Sequence, residues 1–365
     1  KWAAVRVVFH AGEWLYVVKA EPWKQPDAEP PAAAAPVAEA HDPAEPRAGE
    51  GWSVATTGPV QYRPSRGRYI QDHEHLGYAP LPDNRVEARR YDGDTLLYEV
   101  VYDIDSRGLR RGAAWTGADD AACVLFFGGS FTIGEGVRGD ETMAYIVDAR
   151  TGERYRAYNF GFHGYGPHQM LSAIEHGIVE DTIECQPKHV FYQAIRAHVN
   201  RSSGLSGHDR HGPRYRLQAD GTVRFDGRFD DEPSGAEELT PDRSPVWRRF
   251  SKSFLFAEMH RLTVVYSQQT ALLAAIVDAS RERVETRWPG SEFHVILWNE
   301  RIQWKSQMLE KALVARNLSI HRVSEIIPDY FDDKNKYRIH EDDHHPNALA
   351  HERIADYIVR EVLAE

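Results

Sequence analysis

The stretch AACVLFFGGSFTIGEGV, Ala121 to Val137, decides how the chain is read. Its first part, Ala121 to Phe127, is an apolar run with the length and composition of a buried strand. Gly128 and Gly129 then allow the sharp backbone turn that ends it. Ser130 is thereby carried to the carboxyl edge of a sheet, where ligands and nucleophiles collect in open α/β folds. A serine at that point can equally cap the next helix, and this stretch alone leaves both roles open.

The far end of the chain bears on the choice. In EDDHHPNALAHERIADYIV, Glu341 to Val359, a polar loop precedes Ala350, Ile354 and Ile358, which with Val362 recur near helical spacing. Pro346 suits the first helical position and Asn347 the helix start. Asp342 and His345 fall in the loop that leads into this helix. A carboxylate three residues before a histidine can accept a hydrogen bond from one imidazole nitrogen, leaving the other to take a proton from a serine. The base is read as His345 rather than His344, which stands only two residues from Asp342. A divalent metal held by His340, Glu341, Asp342, Asp343, His344, His345 and His351 is the competing reading; no H-x-x-x-H pair within one helix supports it, and no metal is expected.

Composition narrows the classes of function. The chain has 365 residues, 42% of them hydrophobic, enough for a sizeable core and a second small domain. A formal net charge of -11 and the lack of a long Lys/Arg run argue against nucleic acid as a partner. Only Cys123 and Cys185 are present, one in the first strand and one near the start of a later one, so no disulfide framework is expected.

Along the chain, residues 1–50 read as an accessory segment followed by a linker. The opening WAAVRVVFHAGEWLYVVKAEPW is broken by Arg6, His10, Glu13 and Lys19 and is no clear membrane span. The Pro/Ala-rich acidic stretch from Gln25 to Glu50 is an extended tether. This pairing favours an envelope-associated or periplasmic location over a cytoplasmic one, with membrane contact only through the tether. Residues 51–120 read as a small β-rich subdomain whose strand is TLLYEVVYDID, Thr95 to Asp105, and whose role is not legible. From 121 to 365, strand signals at Arg154 to Phe160, His189 to Ile195, Glu292 to Asn299 and Ser319 to Ile327 alternate with helices, one carrying Leu273, Ile276, Val277 and Val284 and one at Trp304 to Asn317. The alternation predicts an α/β fold with a parallel sheet covered on both faces. An insertion at about 201–246 contains an Asp220-Gly221 hairpin signal.

From Ala121 onward the chain resembles the SGNH (GDSL-like) hydrolases. GGSFTIGEG resembles their first block with Ser130 as nucleophile, although Gly129 stands where an aspartate is common. NFGFHGYGPHQM, Asn159 to Met170, resembles the second block, whose glycine donor to the oxyanion corresponds to Gly164. DDHHPN resembles the last block, D-x-x-H-P, and gives Asp342 and His345. The third block departs. Where Gly-x-Asn-Asp is usual, Ala197 occupies the asparagine position and His198 follows, either as a structural histidine or as a substitute donor.

The resemblance implies a flavodoxin-like three-layer α/β/α fold and serine-dependent ester hydrolysis through an acyl-enzyme. The implied substrates are O-acyl, often acetyl, esters of carbohydrate or a small lipid. Catalysis would fall to Ser130, His345 and Asp342, with Ser130, Gly164 and His198 forming the oxyanion hole and no cofactor required. An envelope polysaccharide O-acyltransferase using the same triad, and a non-catalytic carbohydrate-binding relative, are the alternative readings.

Overall fold

A computed structural model describes residues 60–114, 121–231, 264–301 and 303–364. All of them lie in one compact unit. The accessory segment, its linker and the end of the 201–246 insertion lie outside the described residues.

The five strands expected from Ala121 onward form one parallel sheet. They are β6 (Ala122–Phe127), β7 (Tyr155–Asn159), β8 (Pro187–Ala194), β11 (Glu292–Leu297) and β12 (Ser319–Arg322), in the order β12-β11-β8-β6-β7. Every neighbouring pair is parallel. Counted by these strands alone the order is 2-1-3-4-5, the flavodoxin-like arrangement in which the crossover reverses beside the first strand. Ser130 follows that strand, so the chain's own topology puts it at the switch point.

Alternation along the strands builds two cores. Cys123, Leu125 and Phe127 of β6, with Val190, Tyr192 and Ala194 of β8, enter one cluster. Val124, Phe126 and Phe191 enter the other. Among the helices, α1 (Ser130–Ile133) follows the Gly-Gly turn, and α2 (Met143–Thr151) packs Met143, Ala144 and Val147 into the second core. The first core receives α3 (Pro167–Glu175) and α4 (Ile178–Thr182), then α5 (Ala197–Ser202), α6 (Tyr266–Arg287) and α7 (Trp304–Val314). A single turn, α8 (Val323–Ile326), and α9 (Ala348–Tyr357) complete the second. Helices therefore cover both faces of the sheet, giving three layers.

Two boundaries differ from expectation. The run from Ser319 to Ile327 is strand only to Arg322; α8 follows because Asn299 Oδ1 accepts the Ser324 N–H at 3.2 Å and starts a turn. Asn347, not Pro346, opens the last helix: its side chain accepts the Ala350 N–H at 3.2 Å as an N-cap, which leaves Pro346 just outside. The hairpin expected at Asp220-Gly221 forms, joining β9 (Pro213–Leu217) and β10 (Val223–Arg228).

The β-rich region contains five strands where one was read. These are β1 (Gln61–Pro64), β2 (Ile70–His73), β3 (Gly77–Pro80), β4 (Asn84–Asp92) and β5 (Thr95–Ile104). β1, β4 and β5 form an antiparallel sheet and β2 pairs with β3. Val86, Ala88, Tyr102 and Ile104 join the same core as β6 and β8, so this region is continuous with the parallel sheet's packing. Among the described residues no helix is long and apolar enough to cross a membrane.

The two cysteines, which carried no expectation of a bridge, are paired: Cys123 at the start of β6 and Cys185 just before β8 stand with Cα atoms 5.5 Å apart and form a disulfide. Separated by 62 residues, they were brought together by adjacent parallel strands, a pairing no spacing rule reveals. Closing a loop of that length restricts the unfolded chain and is worth up to about 4 kcal/mol in the chain-entropy account. Reduction, or Cys123→Ser with Cys185→Ser, is therefore expected to lower the melting temperature measured by calorimetry, and an unchanged melting curve would mean the bridge does not form.

Candidate active site

Ser130 begins α1 and is 4% exposed. Gly129, immediately before it, is forced to be glycine by its surroundings. A Cβ there would lie 2.5 Å from Arg201 Nη1, 2.9 Å from the Tyr165 carbonyl oxygen and 3.1 Å from His198 Nε2. Side chains of α5 fill the space that a side chain at this position would take.

Ser130 Oγ lies 2.9 Å from His345 Nε2. His345 Nδ1 lies 2.6 Å from a carboxylate oxygen, and that oxygen belongs to Asp343, not Asp342. A carboxylate facing Nδ1 places the proton on Nδ1, so Nε2 is left to accept from the serine hydroxyl. The expected acid is corrected by local geometry. Asp343 Oδ1 also accepts the His345 backbone N–H at 3.1 Å, an Asx-type turn that folds the carboxylate back onto the imidazole two residues later. Asp342 is exposed, with its carboxylate 3.7 Å from His340. His344 is exposed as well, and His351 Nδ1 accepts the Met143 N–H at 3.2 Å, so the polar loop does not converge on a common centre.

Four further residues, Arg90, Glu135, His163 and Tyr69, none of them among the expected site residues, complete the polar core. Arg90 Nη1 lies 3.1 Å from Asp343 Oδ2 and 3.5 Å from Glu135 Oε1, with all three side chains at most 4% exposed. Glu135 Oε2 accepts from His163 Nδ1 at 2.7 Å and stands 3.7 Å from His345 Nε2. The Glu135 carboxylate places the His163 proton on Nδ1, and the Tyr69 hydroxyl lies 3.0 Å from Nε2 on the other side of the ring.

The protonation states follow. Burial alone would raise Glu135, but His345, the His163 hydrogen bond and Arg90 together hold it well below the usual carboxylate range. Burial also pushes Asp343 upward and is outweighed by its bond to His345 and by Arg90, so its net shift is downward. For His345, burial opposes protonation, yet Glu135 and Asp343 overcome it and the imidazole is raised above its ordinary value.

The amino-terminal strands build this site. Arg90 comes from β4, and Tyr98 of β5 donates to Glu135 Oε1 at 3.4 Å. Arg110 donates to the carbonyls of Ile133, Gly134 and Val137 at 2.6 Å each and lies over the Tyr102 ring, clamping the segment that presents Glu135. Asn159 Nδ2 donates to the Thr132 carbonyl at 2.9 Å, tying the end of β7 to α1.

Around the serine, the N–H of Ser130 is in the first turn of a helix and has no intrahelical acceptor. Gly164 has φ +77° and its Cβ position would lie 2.6 Å from both His208 Nε2 and the Tyr78 hydroxyl, so this loop position requires glycine. His198 is 1% exposed, its Nδ1 lies 2.6 Å from the Tyr192 hydroxyl, and its Nε2 has no partner among the described residues. Burial, then Arg201 and His168, push it well below the ordinary imidazole value, so it is neutral. A Tyr192 hydroxyl that donates to Nδ1 would leave the His198 proton on Nε2, which lies beside the Gly-Gly turn. A cavity of about 230 Å³ lined by Leu76, Phe127, Gly128, Phe162 and Met170 adjoins the backbone of that turn; neither Ser130 nor His345 lines it.

No protein-family model and no curated protein matches the sequence. Solved structures with an overlapping fold include a G-D-S-L family lipolytic protein from Desulfitobacterium hafniense DCB-2, at 9% identity over 66% of this chain and 98% of that one, TM-score 0.37. Est24, a carbohydrate acetylesterase from Sinorhizobium meliloti, overlaps at 12% identity over 67% and 99%, TM-score 0.35. The psychrotrophic esterase EstA from Pseudoalteromonas sp. overlaps at 12% identity over 66% and 97%, TM-score 0.37. Overlaps this loose carry no argument about activity.

Proposed function

We propose that the chain is a serine esterase of the SGNH type acting through an acyl-enzyme. The observation that carries this reading is the buried relay Ser130 Oγ to His345 Nε2 at 2.9 Å and His345 Nδ1 to Asp343 at 2.6 Å, set at the carboxyl edge of a parallel sheet. The proposed substrates are short O-acyl esters of carbohydrate or a small lipid. An intact relay favours an enzyme over a non-catalytic binding relative.

In this mechanism Ser130 Oγ attacks the ester carbonyl while its proton passes to His345 Nε2. The resulting imidazolium sits between two carboxylates, Asp343 on Nδ1 and Glu135 near Nε2. The tetrahedral oxyanion takes hydrogen bonds from the Ser130 and Gly164 N–H groups and from His198 Nε2, each worth about 3 kcal/mol in sites of this kind. As the intermediate collapses, His345 returns its proton to the departing alcohol, leaving Ser130 acylated. Water, deprotonated by His345, then releases the acid. The Cys123–Cys185 bridge supports an oxidising compartment, in keeping with the envelope-associated location read from the amino-terminal tether.

Hydrolysis of p-nitrophenyl acetate tests the assignment. Ser130→Ala and Asp343→Asn are each expected to lower kcat by about 10⁴-fold, whereas Asp342→Asn leaves it within about twofold. Equal losses in the two aspartate variants would return the acid role to the loop as a whole, and an active Ser130→Ala would remove the serine from the chemistry.

The charges around His345 set the pH dependence. The base must be neutral, so kcat/KM falls as pH drops through the His345 pKa, and the midpoint of this acidic limb is expected above 6.5. Because Glu135 contributes to the upward shift, Glu135→Gln moves that midpoint to lower pH. A limb unmoved by the substitution would show that Glu135 does not act on the base.

A further inference from the structure

At the edge of the sheet opposite Ser130, three side chains converge that the esterase chemistry does not use. Glu292 opens β11 and pairs in register with His189 of β8, while His294 lies two residues further along β11 and therefore on the same face. His189 Nδ1 and His294 Nε2 are 3.3 Å apart. Glu292 Oε2 stands 3.6 Å from the first and 3.5 Å from the second. Among the described residues this is the one group of three such side chains with its ligand atoms so close together.

The triangle has the dimensions of one face of a coordination tetrahedron. Ligands about 2.1 Å from a zinc ion at tetrahedral angles stand about 3.4 Å from one another. The surroundings orient the set. His294 Nδ1 lies 3.1 Å from His321 Nε2, and His321 Nδ1 lies 2.8 Å from the Tyr357 hydroxyl of α9. With His321 donating to Tyr357, its Nε2 accepts from His294 Nδ1–H, and the His294 Nε2 lone pair faces His189 and the carboxylate. Such an outer hydrogen bond is what fixes a ligating imidazole's tautomer and direction. Both imidazoles are buried, whereas the Glu292 side chain is 55% exposed, so an ion has a route in from solvent.

We infer that His189, Glu292 and His294 form a site for a divalent transition-metal ion of the zinc type, fourth ligand water, that staples β8 to β11 at the amino edge of the sheet. Two imidazoles and one carboxylate suit zinc and leave a hard ion such as magnesium poorly served. This site is independent of the ester chemistry at the other edge.

Calorimetric titration of chelator-treated protein with Zn²⁺ tests it, with Co²⁺ absorption reporting the geometry and Mg²⁺ as the control ion. One equivalent of Zn²⁺ is expected to bind and raise the melting temperature, and Co²⁺ to give the intense visible bands of a tetrahedral site. Glu292→Gln, an exposed substitution that leaves the fold intact, is expected to weaken Zn²⁺ by tenfold or more; His321→Phe, which removes the outer hydrogen bond, by about 10–100-fold. No binding to the wild-type protein would mean that a proton alone bridges the imidazoles. Binding equally tight in wild type and Glu292→Gln would place the ion on other histidines. Either result overturns the proposal.

Discussion

The site depends on one buried cation. Arg90 reaches from the amino-terminal sheet to Asp343 and Glu135 and, together with His345 and His163, faces two buried carboxylates whose pKa values are held low. Uncompensated buried charges cost several kcal/mol each, and Arg90 adds to the lowering that His345 and His163 exert on Glu135 and that His345 exerts on Asp343. These contacts also explain why the β-rich strands are not a separable appendage: they deliver the guanidinium that meets Asp343 and Glu135, and Arg110 holds the segment that carries Glu135.

Two carboxylates around one imidazole distinguish the arrangement from a simple three-residue relay. Asp343 fixes the tautomer through Nδ1, while Glu135 stands near Nε2, the nitrogen that faces Ser130. Their combined field favours the imidazolium, so His345 becomes neutral only at a higher pH than an ordinary imidazole. Glu135 is in turn held by His163, Tyr98 and Arg90, so its position is set by elements from three parts of the chain. On the other side of the serine, Gly129, His198 and Arg201 form a matched set: the missing side chain at Gly129 is the space that the two α5 residues occupy.

Much of the fold was legible because it is written in local patterns. β6, β8 and β11 announce themselves as short runs rich in apolar residues, β7 and β12 by their place in the alternation with helices, and the Gly-Gly-Ser turn marks where the first one ends. The partners of Ser130 were legible only in part. His345 could be located from its loop, but the choice between Asp342 and Asp343 turns on an Asx-type hydrogen bond that three-residue spacing does not predict. Glu135 lies within the quoted glycine-rich stretch, yet nothing local says that it is buried. Arg90 contacts Asp343 across 253 positions; the one local sign is its inward phase on β4 after Val86 and Ala88, an odd place for a cation. The Cys123–Cys185 pairing likewise depends on which strands lie side by side.

The central claim is that Ser130 is an activated nucleophile, and covalent labelling tests it most directly. Folded protein treated with a fluorophosphonate and mapped by peptide mass spectrometry is predicted to carry one adduct, on Ser130, with labelling lost in His345→Ala. An unmodified Ser130 in folded protein, or an adduct on another residue, would contradict the account.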